Sequence, residues 1–312
     1  DALDVALGYS NVAEGTIVAL AELAVREFAA AHGSITGAEL MILGLGRLGG
    51  RALTHASDLD IIYLFDAPDG AVSDGDKPLG ATDYFNRLAN RVTAALSVAT
   101  AAGPLYDVDT RLRPQGAKGM LAVPLAGFID YQRDEAWTWE HMALCRARPI
   151  FGSTAAQAKL SAAVEGILRQ QRAPAQVRAD AAKMRAEMSQ HKPPSGPLDI
   201  KLGRGGLVDL EFAVHTLQLI HRDGLDPRLE YAIAGLAETG LIDAAFDPDL
   251  RLLSRMLVVM RLVSPDGGEP AEQSRALTAA LCGHDDWDAL LAAHDAARQR
   301  IADLWQEVRD EA

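Results

Sequence analysis

The chain reads as an α+β protein in two parts: a mixed sheet with helices over residues 1–150, then an all-helical bundle over 151–312. Three observations predict this. The runs at 39–45 and 58–65 are short, apolar and bounded by polar or Gly-rich segments, as buried strands are. Residues 104–113 (PLYDVDTRLR) alternate apolar with charged, the period of a strand with two unlike faces. Beyond about residue 125 the helical period takes over.

The elements follow in order. Residues 9–32 carry apolar side chains at helical spacing and predict a leading helix. After the first strand, the Gly-rich turn around 44–50 predicts a helix over Arg47–Ala56. Residues 66–78 (DAPDGAVSDGDKP) are polar with Gly and Pro and predict a loop. A helix over 80–102, the strand 104–113 and a short strand at 119–123 come next. Helices are predicted near 125–147, 154–190, 205–222, 229–239, 247–263 and 286–310, with the Pro- and Gly-rich stretch 191–206 as the break. No internal repeat is visible.

Composition narrows the function classes. At 312 residues two domains are expected rather than one, and 49% hydrophobic residues supply real cores. The net charge of −13, with no long basic run, argues against non-specific binding to a nucleic-acid backbone, though a local basic pocket for a nucleotide remains open. Two cysteines, Cys145 and Cys282, are too few for a disulfide framework. No apolar stretch approaches the roughly 20 residues that span a bilayer, and there is no secretory signal pattern, so no membrane association and a cytoplasmic location are the default expectations. The missing initiator Met raises the expectation that the sequence is part of something larger.

The most informative stretch is MILGLGRLGGRALTHASDLDIIYLFD, residues 41–66. On a strand, Asp58 and Asp60 share a face, about 7 Å apart at Cα. Two neighbouring carboxylates repel, and such a pair lowers its cost by binding a cation or sharing a proton. In the alternating strand, Asp107, Asp109, Arg111 and Arg113 share one face and Val108, Thr110 and Leu112 the other. Asp109 is then placed to join Asp58 and Asp60 around one or two divalent ions, and Arg111 and Arg113 to meet phosphate oxygens. The plainer alternative is a surface strand with locally paired charges.

The turn itself holds Gly44, Gly46, Gly49 and Gly50, which allow close approach of backbone to an anion, with Arg47 adding charge. GLGRLG formally matches G-x-G-x-x-G, but the short return to the next strand and the paired acids that head it argue against a dinucleotide site. Elsewhere, Trp137 and Trp139 are expected to pack rather than stack on a base. His141 and Cys145, four apart, lack a second pair to complete a metal site. Arg146 and Arg148 face either phosphate or a domain interface. Asp209 and Glu211 are read first as helix-capping acids, and second as acids reaching toward the metal site; the role of Lys201 stays open.

A Gly turn, then Asp-x-Asp, then a later strand Asp resembles the polymerase-beta-type nucleotidyltransferase superfamily. Within it, the segments GLGRLGGRALTHASDLDIIYLF, VDTRLRPQGAKGML, YQRDEAWTWEHMALCRARPIFG and DIKLGRGGLVDLEF resemble, in order, the bifunctional glutamine synthetase adenylyltransferase/adenylyl-removing family, and EAWTWEH resembles its adenylylating C-terminal half. The resemblance implies a nucleotidyltransferase-type fold and transfer of AMP from ATP to a tyrosine of glutamine synthetase, with release of pyrophosphate. It implies Asp58, Asp60 and Asp109 as catalytic metal ligands for Mg²⁺, or Mn²⁺ in its place. Gly44, Gly46, Arg47, Gly49, Gly50, Ser57, Arg111 and Arg113 would contact the nucleotide. The Gly-Ser of many superfamily turns is absent, with Leu45 or Arg47 in that region. Glutamine synthetase is the implied protein substrate, and glutamine and the PII signalling protein the implied regulators. The alternatives are the phosphorolytic AMP-removing half, a non-catalytic nucleotide-binding module and, more distantly, a template-directed polymerase.

Overall fold

The computed structural model describes residues 1–101 and 103–311. It divides into two compact units, residues 6–169 and residues 170–311 with 1–5.

The first unit begins with helix α1 (Ala2–His32), whose Ala6, Ser10, Ala13, Ile17, Ala21, Ala24 and Phe28 form one buried stripe at three- and four-residue spacing. Strand β1 (Glu39–Gly44) leads into a single helical turn, α2 (Gly46–Gly49), and then into β2 (Leu59–Asp66). The helix expected over Arg47–Ala56 stops after that turn. Gly49 and Gly50 are poor helix formers, and Arg51 takes a left-handed φ of 52° that ends the spiral. Helix α3 (Ala81–Ser97) follows the expected loop. The strand expected over 104–113 is reduced to β3 (Val108–Asp109), because Arg113 turns inward and folds residues 110–119 around itself. Then come β4 (Ala122–Pro124), α4 (Leu125–Asp134), α5 (Thr138–Leu144), β5 (Arg148–Phe151) and α6 (Thr154–Leu168). The single helix expected over 125–147 is therefore two, and β5 was not expected. With β5 and α6 included, this unit runs past the expected limit at 150.

Among the described residues the sheet has five strands in the order β3-β2-β1-β5, with β4 also on β2. β1 and β2 are antiparallel, Glu39 opposite Asp66 and Gly44 opposite Ile61. The free side of β2 takes β3 at its start and β4 further along, both parallel. Ile42, Ile61, Tyr63 and Phe65 join α1 and α3 in one core with Ile17, Phe28, Phe85 and Val92. Met41, Leu43, Ile62 and Leu64 are equally buried, on the face that meets α4 and α6. Cover on both faces is why β1 and β2 read as unbroken apolar runs. Each such side chain contributes about 1.5–3 kcal/mol by burial. The Tyr63 hydroxyl, sealed in this core, accepts from Thr93 Oγ1 at 2.9 Å, and burial raises its pKa.

The second unit is helical: α7 (Pro174–His191), α8 (Leu207–His221), α9 (Leu229–Glu238), α10 (Phe246–Val263), α11 (Glu272–Leu281) and α12 (Trp287–Asp310). The expected 154–190 helix breaks at 169–173, where Pro174 starts a new one. α11 was not expected. α8 is the centre, buried nearly all round, with α7, α9, α10 and α12 against it. No helix among the described residues is long and apolar enough to cross a membrane.

Candidate active site

The register of the sheet edge builds the site. β3 pairs with β2 in parallel, Leu59 beside Val108 and Asp60 beside Asp109. Paired residues on parallel strands point to the same face, so the two carboxylates stand side by side. The Leu59 amide donates to the Asp107 carbonyl at 2.8 Å and locks the pairing. Asp58 precedes Leu59, whose side chain is fully buried, and flanks it on the other side from Asp60. One carboxylate oxygen from each of Asp58, Asp60 and Asp109 lies within 4.8 Å of the others. Asp60 and Asp109 are half-buried and Asp58 is exposed. Among the described residues this is the one such gathering of three acids, and Asp209 and Glu211 are not in it.

Three carboxylates this close are costly without positive charge. Arg111 supplies some: its Nε lies 3.0 Å from both Asp109 oxygens, its terminal nitrogen contacts Oδ2, and its backbone amide donates to Oδ1 at 2.8 Å. The hydrogen bonds from Arg111 hold the Asp109 carboxyl below the usual range despite partial burial, and Asp58 and Asp60 add to the field at Arg111. The donor set suits a hard divalent cation, being all carboxylate oxygen with access from solvent through Asp58.

Arg113 adds to the positive field at Asp109 but makes no hydrogen bond to it. Its guanidinium is buried and spent on its own loop, donating to the Thr110 carbonyl (2.7 Å), Thr110 Oγ1 (3.0 Å), the Ala117 carbonyl (3.3 Å) and the Gly119 carbonyl (3.2 Å). The common face expected for Arg111 and Arg113 is lost because the strand ends at Asp109.

The Gly turn divides similarly. Gly46 has φ of +52°, and its amide region lies against the acids: a Cβ there would stand 2.2 Å from Asp60 Oδ2. The Leu45 amide donates to the Asp60 carbonyl at 2.9 Å. Gly44 and Gly49 serve packing, since a Cβ on Gly44 would meet Ile150 at 2.9 Å and one on Gly49 the Arg146 carbonyl at 1.8 Å. The Gly50 amide closes the turn on the Gly46 carbonyl at 3.1 Å. α2 is a single helical turn and carries little of a helix dipole. Arg47 donates to the Ala52 carbonyl at 3.0 Å. Ser57 Oγ accepts from the Thr54 amide at 3.0 Å and bonds the Thr54 hydroxyl, which shapes the turn that delivers Asp58.

Sequence reasoning missed the brace behind this turn. Glu14 of α1 pairs with Arg148 of β5 and with Arg51, while Arg148 Nε donates to the Gly49 carbonyl at 3.2 Å. Ser10 Oγ receives the Leu53 amide at 3.4 Å. Nothing in the local pattern of a helix that buries Ala13 and Ile17 marks Glu14 as a partner for Arg51, 37 positions away, or Arg148, 134 positions away. Arg148 braces the turn within this unit.

The EAWTWEH segment also differs. Trp137 and Trp139, expected to pack, are 69% and 40% exposed. The break between α4 and α5 makes Trp137 the residue before a helix, which turns it out of the apolar stripe. Glu140 is buried, accepts from the Trp137 amide (2.9 Å) and the Tyr131 hydroxyl (3.3 Å), and has its pKa raised by burial. His141 Nε2 sits 2.8 Å from the Gln132 carbonyl, a structural bond. In the second unit Asp209 is 3% exposed and accepts from Arg185 Nε (2.5 Å) and the Gly205 amide (2.6 Å), an ion pair rather than a simple cap.

Residues 1–163 match the family described as glutamate-ammonia ligase adenylyltransferase, and residues 175–266 the family described as GlnD PII-uridylyltransferase. The chain is 47% identical over 221 residues to the bifunctional glutamine synthetase adenylyltransferase/adenylyl-removing enzyme of Mesorhizobium japonicum, covering 70% of this chain and 22% of that protein. Its identity to the enzyme of the same name from Agrobacterium fabrum is 39% over 293 residues, 90% of this chain and 30% of the relative. For Rhizobium meliloti the figures are 38% over 289 residues, 89% and 29%. The chain thus spans less than a third of the length of these relatives. With a match over more than half of its length and with the paired strands holding Asp58, Asp60 and Asp109 inside that match, the chain belongs to the glutamate-ammonia ligase adenylyltransferase family.

Proposed function

We propose that this chain is a nucleotidyltransferase that moves AMP from ATP to a tyrosine hydroxyl of glutamine synthetase. The observation that carries this reading is the convergence of Asp58, Asp60 and Asp109 within 4.8 Å beside the Gly46 turn. Those three residues would hold Mg²⁺, or Mn²⁺ in its place, which when bound would neutralise triphosphate charge and acidify the incoming hydroxyl. The phosphate-binding residues of this reading are Gly46, Arg47 and Arg111.

Arg111 keeps Asp109 ionised before substrates meet, and its planar guanidinium suits phosphate oxygens. Moving Arg111 from Asp109 to the phosphates releases the Asp109 carboxylate to take the hydroxyl's proton. The tyrosine oxygen then bonds to the α-phosphorus, the bond from that phosphorus to the bridging oxygen breaks, and pyrophosphate leaves. Arg111 offsets the charge that builds on the leaving group. The brace of Glu14 and Arg148 holds the turn in place during this change.

Within the same reading, glutamine and the PII signalling protein are the regulators, and the match of 175–266 to a PII-uridylyltransferase family supports a PII-linked role for the helical unit. A cytoplasmic location, where ATP is supplied, belongs to the same reading. The test is incubation of the chain with labelled ATP, Mg²⁺ and glutamine synthetase, followed by mass analysis. An AMP adduct on a tyrosine is the expected result. Release of ADP from AMP-modified glutamine synthetase and phosphate, with no forward transfer, would assign the chain to the removing reaction instead.

A further inference from the structure

Asp58 belongs to two features at once. It is one of the three clustered acids, and it also walls an open groove of about 830 Å³ in the first unit. The other walls are the α1 residues Tyr9 and Val12, the turn carrying His55, and the segment leading into β3 with Leu105 and Asp107. Large apolar side chains line it in the open: Tyr9 is 45% exposed, Val12 64% and Leu105 56%.

The walls are fixed in place. The turn is tied to α1 through Ser10 and closed on itself by Ser57. The segment before β3 is tied to α3 by the Tyr106 amide on the Leu96 carbonyl at 3.1 Å, and to β2 through the Asp107 carbonyl. A preformed groove saves the ordering cost of binding.

Its charge selects the occupant. No lysine or arginine among the described residues lines the groove, while two carboxylates, Asp58 and Asp107, do. Beyond the metal-binding acids, a phosphate lying in the groove would meet the Asp107 carboxylate and no lysine or arginine. Cationic charge lies instead at Arg111, which pairs with Asp109 and is not part of the groove. Displacement at phosphorus sets the entering and leaving oxygens roughly in line, on opposite sides of the reacting atom. With Arg111 moved to the leaving pyrophosphate, the entering hydroxyl comes from the opposite, Asp58 side, where the clustered acids keep it within reach of Asp109.

We propose that this groove docks the acceptor: a polypeptide segment of the protein substrate in which the reactive tyrosine is flanked by apolar and basic residues. Val12 and Leu105 grip the apolar side chains, Asp107 pairs with a basic one, and the segment's hydroxyl reaches the acids past Asp58. The inference rests on the AMP-transfer reading above.

The test is steady-state AMP transfer to glutamine synthetase by the wild-type chain, by Val12→Glu with Leu105→Glu, and by Asp107→Lys. Circular dichroism and thermal melts check folding, and calorimetry measures Mg·ATP binding. The double variant is expected to raise the KM for glutamine synthetase by about tenfold or more, with the Kd for Mg·ATP within about twofold. Asp107→Lys is expected to raise the same KM by roughly threefold or more. A folded double variant with unchanged acceptor KM overturns the proposal. So does a weakened Mg·ATP affinity with normal acceptor KM, which would make the groove a nucleotide site. A lowered KM in Asp107→Lys overturns the basic character of the segment. Loss of a wild-type dimer in the double variant, seen by sedimentation with acceptor KM unmoved, would make the groove a contact between copies. Absence of AMP transfer by the wild-type chain, with Mg·ATP still bound, sinks the parent reading and the groove's role with it.

Discussion

Gly46 and Asp60 stand so close that the glycine's missing side chain is part of the acid site. A Cβ at position 46 would lie 2.2 Å from Asp60 Oδ2, on a backbone already at φ +52°. Gly46→Ala therefore meets both a left-handed backbone cost of about 1–2 kcal/mol and a collision that displaces the Asp60 carboxylate. The expected outcome is a modest loss in a denaturant melt together with a fall in AMP transfer of more than about tenfold. A variant that melts lower but turns over normally would show that the position of Asp60 does not matter.

Asp58→Asn with Asp60→Asn removes two charges from the cluster of three. Transfer of AMP is expected to disappear while circular dichroism and the melting temperature hold or improve, because like-charge repulsion is relieved. Chelation of divalent ions should reproduce the loss in the wild-type chain, and added Mg²⁺ should restore it. Undiminished turnover in the double variant would end the proposed mechanism.

Arg111 and Arg113, two positions apart, should respond oppositely to truncation. Arg111 is 76% exposed on its side chain, so Arg111→Ala should leave stability nearly unchanged and lower AMP transfer strongly. Arg113 is buried and holds four backbone or hydroxyl acceptors of the 110–119 loop. Arg113→Ala leaves those acceptors unpaired and should cost about 2–3 kcal/mol in an unfolding titration. Equal effects of the two substitutions on stability would contradict the division of roles.

His294 on α12 has no exposure, and burial first, then the nearby Arg298, pushes its pKa down to about 4, with Asp295 opposing. The folded state thus binds the proton more weakly than the unfolded chain, whose histidine titrates near 6.5. The stability this contributes is complete above that pH and drains away as pH falls toward 4, by about 3 kcal/mol in total. Denaturant midpoints measured between pH 7.5 and 4.5 should fall, and His294→Leu should flatten the part of that slope above pH 5. An equally steep slope in the variant would assign the acid sensitivity to other groups.

The strands β1 and β2, the Gly turn between them and the pairing of Asp58 with Asp60 were legible in residues 39–66, because unbroken apolar runs, Gly spacing and side-chain alternation are local properties. Most helices were legible for the same reason; the exceptions are α11, the single turn α2 and the breaks at 135–137 and 169–173 that divide two expected helices. The exposure of Trp137 and Trp139 was not, since it depends on where one helix ends and the next begins.

Amino-acid order alone established the α+β class, the two acids heading β2 and the candidacy of Asp109. Three-dimensional packing decided the rest. It set Asp109 beside Asp60 through a two-residue parallel ladder, spent Arg113 on its own loop while leaving Arg111 at the acids, and braced the turn with Glu14 and Arg148. These contacts join positions far apart in the chain or depend on where a strand stops. Local periodicity carries no information about either, because register and ion pairing are chosen by the free energy of the whole assembled core.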